Sequence, residues 1–191
     1  MKTPLRYQIT EFDCGCASLT NCISYLFNRN EIPPELIKTI NAFTLDCYDD
    51  CGNLGNKGTS REVVEYLTKW IKQYGEHNNF FIKCEYLEKE EVTIEKIKEC
   101  IKNKGCVNLR TYSGGVDHYV TITAVTNNYI YLFDPYYYPE THYKNNKCIN
   151  FELNPFKYNR KVFIKRFLSN SKQEFAIGPV EKRECVLFNK F

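Results

Sequence analysis

Gln8-Ile9-Thr10-Glu11-Phe12-Asp13-Cys14-Gly15-Cys16-Ala17 runs directly into an apolar series, Leu19, Cys22, Ile23, Leu26 and Phe27. Those five positions follow i, i+3, i+4, i+7, i+8, the spacing that lines one face of a helix. Cys14 therefore stands where a loop becomes a buried helix. A helix start offers unpaired N–H groups and the positive end of the macrodipole, and both favour thiolate over thiol. Gly15 is expected to leave the sulfur sterically open. Gln8, six residues before the cysteine, carries an amide that can donate to an oxyanion forming on a carbonyl under attack.

Composition narrows the possible functions. The chain has 191 residues, enough for one domain with a sizeable core, and without a linker or shift in composition the reading is a single domain over 1–191. Its 26 basic and 23 acidic residues are dispersed and leave a net charge of only +3, which argues against nucleic-acid binding. The first residues, Met1-Lys2-Thr3-Pro4-Leu5-Arg6, include no apolar signal core, and no apolar run approaches the ~20 residues of a membrane span. The expected location is the cytosol. Ten cysteines in such a setting read mostly as reduced core residues rather than a disulfide framework. Cys14, Cys16, Cys47 and Cys51 suggest a four-thiolate zinc set, but a single residue between the first two is short for zinc. Cys16 could alternatively be a redox partner of Cys14, although a relaxed disulfide rarely forms two residues apart.

In chain order, Leu36, Ile37 and Ile40 mark a short helix opened by Pro33-Pro34, and 46–58, rich in Gly, Asn and Asp, reads as an exposed loop. That loop either borders a cleft or is plain surface. Thr59-Ser60-Arg61-Glu62 reads as a capping box for a helix with Val63, Leu67, Trp70, Ile71 and Tyr74 on one face and Gly75 as its C-terminal cap. Trp70 reads as core. A strand over 80–87 and a helix through Ile94, Ile97 and Ile101 follow, ending at Gly105. Beyond it the period falls from 3.6 to 2. Strands are expected over 106–112, 116–125 and 129–134, then at 148–152, 161–166, 175–177 and 185–188. Helices first and antiparallel strands afterwards define an α+β chain.

A thiolate needs a base within about 3 Å, usually histidine, and the chain has three. His77 and His142 lie in polar segments and read as surface. His118 begins a strand directly after a Gly-Gly turn, where a base is held rigidly yet within reach. Alternate residues from it, Val120, Ile122 and Ala124, are apolar, and on the next strand Ile130 and Leu132 share their face with Asp134. Both rows are expected to face the helical core. That requires paired residue numbers with an even sum, for example 120 with 134. A strict Asn127-Asn128 turn gives an odd sum, so a three-residue loop including Thr126, or a bulge, is predicted. Asp134 then lies diagonally across from His118 and can accept from one ring nitrogen while the other faces Cys14. Asp13 and Asp117 are the alternative carboxylates; each precedes a key residue and should point away from it. Tyr136-Tyr137-Tyr138-Pro139, directly after Asp134, either lines a cleft or packs on the sheet.

Gln8, Asp13-Cys14-Gly15 opening a helix, His118-Tyr119-Val120 on a strand and Asp134-Pro135, in this order, resemble the C39-type peptidases of the papain-like cysteine peptidase superfamily. The resemblance spans Gln8 to Pro135. It implies a papain-like fold, with N-terminal helices packed on a C-terminal antiparallel sheet, and a Cys14, His118, Asp134 triad with Gln8 at the oxyanion. It implies a peptide substrate, such as a peptide precursor, cleaved through an acyl-enzyme, with neither metal nor organic cofactor. The better-known members cut after a Gly-Gly pair and are fused to an ABC exporter; here no Walker motif is present, and an exporter partner stays unidentified. Two other readings stay open: an acyltransferase that uses the same triad, and an inactive peptide-binding scaffold.

Overall fold

The computed structural model describes residues 1–191. Helices α1 (Cys14–Leu26), α2 (Pro34–Phe43) and α3 (Arg61–Asn78) come first, then β1 (Ile82–Glu88) and α4 (Ile94–Lys102). Strands β2 (Cys106–Ser113), β3 (Val116–Val125), β4 (Tyr129–Phe133), β5 (Ile149–Asn154) and β6 (Tyr158–Phe163) follow, then the short α5 (Ile164–Phe167) and β7 (Glu184–Lys190). All seven strands join one sheet in the order β1-β7-β2-β3-β4-β6-β5, and every pairing is antiparallel. The class is α+β, as the sequence pattern predicts.

Two cores lie on opposite faces of this sheet. Leu19, Ile23, Leu36, Ile40, Leu67 and Ile71 from α1, α2 and α3 pack on one face with Tyr119 and Phe188. Ile97 of α4 and Phe167 of α5 pack on the other with Leu109, Val120, Ile122, Ile130 and Leu132. The rows of β3 and β4 thus share a face, but that face meets the second core. Contact with α1, α2 and α3 belongs to the Tyr119 side, because His118 and Tyr119 alternate across the pleat.

Helix α1 is buried nearly all round, beyond the single apolar stripe its sequence shows. Its polar residues find partners on both sides. Ser18 Oγ donates to the Tyr119 carbonyl at 2.8 Å, and Asn21 exchanges bonds with the backbone of Arg6 at 2.8 and 2.9 Å. Satisfied in this way, they cost little to bury.

The β3–β4 register is even-summed where the site requires it: Thr121 faces Phe133 and Ile122 faces Leu132. A bulge between Ile122 and Ala124 then changes the sum, with Ala124 opposite Tyr131 and Val125 opposite Ile130. The bulge reconciles the two apolar rows with the short turn.

Five local expectations are corrected. The N-cap of α3 is Ser60, whose side chain accepts from Val63 N at 3.2 Å. Thr59 instead accepts from Leu45 N at 3.2 Å, and Asp46 Oδ1 takes the N–H of the actual cap, Ser60, at 2.8 Å. Gly75 lies inside α3, which runs on to a left-handed cap at Asn79 with φ 53°. A Cβ at Gly75 would lie 2.7 Å from the Phe80 carbonyl oxygen, so close approach of the returning chain is its reason. His77 consequently sits in the last turn of α3, exposed, with Nδ1 2.7 Å from Gln73 O. Residues 175–177 form no strand; Phe175 N donates to Tyr112 O and Ile177 N to Phe167 O, each at 2.8 Å. The expected strand at 161–166 shifts to Tyr158–Phe163, and its end becomes α5.

Candidate active site

Cys14 is the first residue of α1 and is half-buried. The loop before it is tied down by Asp13, whose carboxylate accepts from Ile9 N at 3.0 Å and from Thr10 N and Oγ1 at 2.8 and 2.9 Å. Asp13 is thus committed to its own loop, which removes it as an alternative partner for the histidine. Gln8 N donates to Pro135 O at 2.8 Å, so the loop is stitched to the residue after Asp134. The aromatic segment adds to this clasp. Tyr136 Oη donates to Glu11 at 2.9 Å, and the Tyr7 ring lies 5.2 Å from Phe133 and 5.3 Å from Tyr137. Further along, Tyr138 stacks on the exposed His142 at 4.0 Å.

The side-chain amide of Gln8 bends back onto its loop and donates to Thr10 O at 2.7 Å. One N–H of that amide is spent there, and the second is left for another acceptor.

His118 and Asp134 are buried, at 5% and 0% exposure, and His118 Nε2 lies 2.8 Å from Asp134 Oδ1. Nδ1 is thereby left free of Asp134, and Cys14 is near enough to the ring to favour its charged form. Burial alone would hold the imidazole neutral. The hydrogen bonds to Asp134 and Cys14, with their negative charges, outweigh burial and raise the His118 pKa from 6.5 to about 10. A histidine with a raised folded pKa contributes stability in full below its unfolded value and loses it as pH rises through the folded one. Unfolding free energy should therefore decline between about pH 6.5 and 10. Urea titrations at several pH values check this: His118→Gln should lack the decline. Asp117, the remaining alternative carboxylate, pairs with Arg110 instead.

Asp134 is itself firmly held. Its N–H donates to Asn159 Oδ1 at 2.7 Å, Asn159 Nδ2 donates to its carbonyl at 2.8 Å, and Tyr136 N donates to Oδ1 at 2.9 Å. Arg160 Nη2 stands 3.6 Å from Oδ2. Sequence reasoning missed both Asn159 and Arg160. The one signal was a charged residue at i−2 of Val162, in the strand row that Val162 buries.

A cleft of about 390 Å³ opens beside Cys14, lined among others by Gly58, Thr59, Arg61, Tyr119 and Glu184. Cys47 and Lys57 also line it, so the ends of the 46–58 loop border this cleft. Glu184, 1% exposed, accepts from Arg61 Nε at 2.7 Å, from Tyr86 Oη at 3.1 Å and from the Tyr119 hydroxyl. Burial and the neighbouring Glu184 charge push both tyrosine hydroxyls up, so they remain protonated donors to that carboxylate.

Gly15 adjoins the cleft and is buried rather than open. A Cβ there would lie 2.8 Å from Thr59 Cβ and Oγ1 and 3.4 Å from Tyr119. Gly15→Ala should lower stability in urea by about 1–3 kcal/mol, the usual cost of overpacking, and an unchanged midpoint would refute this packing role.

Cys16 points elsewhere, to Asn41 Oδ1 at 2.8 Å and Arg6 Nη2 at 3.6 Å. All ten cysteines are free, and no group of three or more His, Cys, Asp or Glu side chains is arranged to hold a metal ion.

A cysteine opening a buried helix and a strand histidine bonded to a carboxylate just past the next strand thus stand on one α+β fold. The chain belongs to the Peptidase_C39 like family, whose model matches residues 1–164. Among solved structures it is similar to a double glycine motif protease from an AMS/PCAT transporter in complex with the leader peptide. The two share 15% identity over 98% of this chain and 91% of that one, with a TM-score of 0.47. No curated protein matches the chain. No helix is long and apolar enough to cross a membrane.

Proposed function

We propose that the chain is a cysteine peptidase acting on a peptide precursor through Cys14, His118 and Asp134. The observation that carries this reading is the buried imidazole bonded to Asp134 through Nε2, with Cys14 near enough to favour its charged form. In the reaction Cys14 Sγ attacks the scissile carbonyl as a thiolate paired with the His118 imidazolium. The Cys14 N–H, unpaired at the helix start, and the free amide N–H of Gln8 receive the oxyanion. His118 then passes its proton to the leaving amine, and water activated by the same ring releases the acyl group from sulfur. Asp134 fixes the ring and stabilises its charged form. No step requires a metal or organic cofactor. Ten free thiols favour work in a reducing compartment, the cytosol.

Two measurements test the reading. A peptide acyloxymethyl ketone should form a thioether on Cys14 and none on Cys14→Ala. In ¹⁸O-labelled water the cleaved peptide should carry the label in its new carboxylate. Capture of the acyl group by an added amine in preference to water would turn the assignment to acyl transfer, and absence of any Cys14 adduct would leave a peptide-binding scaffold.

A further inference from the structure

Arg160 of β6 is wholly buried, at 0% exposure, behind the carboxylate that holds His118. Its Nη2 lies 3.6 Å from Asp134 Oδ2, and its Nη1 donates to Asn159 O at 3.0 Å. The rings of Tyr143 and Phe151 flank the guanidinium at 5.3 and 5.4 Å. Asp134 Oδ2 and Arg160 Nε and Nη2 have no hydrogen-bond partner, so the Nη2–Oδ2 contact is one of charge more than of a short bond. The carboxylate does not need Arg160 for its placement, because Asn159 and Tyr136 already fix it.

What Asp134 does need is a countercharge. A buried carboxylate without one is driven to take up a proton. The His118 imidazolium supplies a positive charge only while it keeps its proton, and the reaction requires it to give that proton away. Resting on the peptidase reading above, we propose that Arg160 is a positioning residue acting through Asp134: its buried guanidinium is the permanent countercharge that keeps Asp134 an acceptor for His118 at the moment His118 becomes neutral.

The other groups facing this centre do not substitute for it. Cys14 approaches from α1 beyond the imidazole and is negative when ionised. Tyr143, over whose ring Arg160 lies, directs its hydroxyl to Glu174 at 3.1 Å, and burial followed by the charge of Glu174 keeps it protonated. Tyr136 gives its hydroxyl to Glu11. Arg160 is the only cation among them besides the imidazolium. Without it, losing the His118 proton would leave Asp134 bare, so the ring would hold its proton more tightly and give it up to the leaving amine less readily.

Histidine-labelled full-length protein tests this by NMR titration of His118, in a Cys14→Ala background that removes the thiolate's own pull on the ring. Arg160→Met should raise the His118 midpoint by about one to two pH units, the scale set by a charge a few ångströms away. Arg160→Lys, which keeps the charge, should return it to the starting value. With Cys14 restored, Arg160→Met should still be alkylated at Cys14 at pH 7 yet turn over peptide more slowly. A His118 midpoint unmoved by Arg160→Met would overturn the proposal, since a structural role alone changes stability and not this titration. If Arg160→Met does not fold, the doubly neutral Asp134→Asn/Arg160→Met chain decides: recovered folding identifies the bare carboxylate as the fault, and failure of both variants overturns the role. Cys14 alkylation in the unsubstituted protein separates the two levels. A Cys14 no more reactive than the other cysteines would sink the peptidase reading, whereas an unmoved His118 midpoint would sink only the role of Arg160.

Discussion

Replacing His118 with alanine should lower peptide hydrolysis by about 10²–10⁴-fold, the usual contribution of a positioned acid–base group. Two tasks fall to this ring. Under the proposed mechanism it pairs with the Cys14 thiolate, and it carries the proton to the leaving amine. The start of α1 remains in the variant, but a helix dipole is worth at most ~2 kcal/mol, about a thirtyfold effect. It offers charge stabilisation without a transferable proton. Asp134 would meanwhile lose the imidazolium and keep only Arg160 as a neighbouring charge. His77→Ala and His142→Ala are the controls, since both side chains are exposed, and neither should change the rate appreciably. Initial rates on a fluorogenic peptide that the unsubstituted protein cleaves give the comparison. A His118→Ala rate within tenfold of the original would contradict the assignment.

The second large effect concerns stability. Gly105 joins α4 to β2, and a Cβ there would lie 2.3 Å from Asn189 Nδ2, 2.4 Å from Phe188 O and 2.6 Å from Cys100 Sγ. One of those neighbours is β7 backbone, which cannot rotate aside. Gly105→Ala should therefore cost about 3 kcal/mol or more, at or above the upper end for overpacking. In a chain of this size that corresponds to a fall in melting temperature of about 6–12 °C. Gly114 is the useful contrast: its φ is +57°, but nothing lies within 4 Å of its Cβ position. Gly114→Ala should lose only about 1–2 kcal/mol, the strain of a left-handed residue. Equal losses at the two positions, read from thermal melts, would refute the account of how α4 closes on the sheet.

Much of this arrangement is legible from residue order. Period 3.6 up to Gly105 and period 2 beyond it separate the helices from most of the sheet. The shared apolar rows of β3 and β4, set against a turn of the wrong parity, are enough to require the bulge found between Ile122 and Ala124. The same parity argument puts Asp134 beside His118, and the structure has them 2.8 Å apart.

What escaped the pattern was set by tertiary contacts. Periodicity shows which residues share a face but not which helices cover it: the Val120 row meets α4 and α5, and the Tyr119 side meets α1, α2 and α3. Thr59 has the chemistry of an N-cap, yet Leu45 N claims its hydroxyl and Ser60 takes the position. Gly75 has the chemistry of a C-cap, but the approach of Phe80 decides its role. Asn159 and Arg160 fall just before the strand expected at 161–166 and drew no reading. Their burial follows from pairing β6 with β4, a long-range fact that the alternation with Val162 only hints at. Gln8 is a more informative case. Its loop is fastened to Pro135, while its side-chain amide rests on Thr10 O with one N–H unspent.

The central claim is that Cys14 is a thiolate activated by His118, and the pH dependence of iodoacetamide alkylation, resolved cysteine by cysteine with mass spectrometry, tests it most directly. Cys14 should label rapidly well below pH 8.5, the ordinary range for a thiol. His118→Ala should slow that labelling sharply and Asp134→Asn less so. The buried thiols, with Cys84 and Cys100 pushed up to about 12 mainly by desolvation, should stay unreactive throughout. Labelling of Cys14 that tracks the exposed Cys51 at every pH, and is indifferent to His118, would contradict the account.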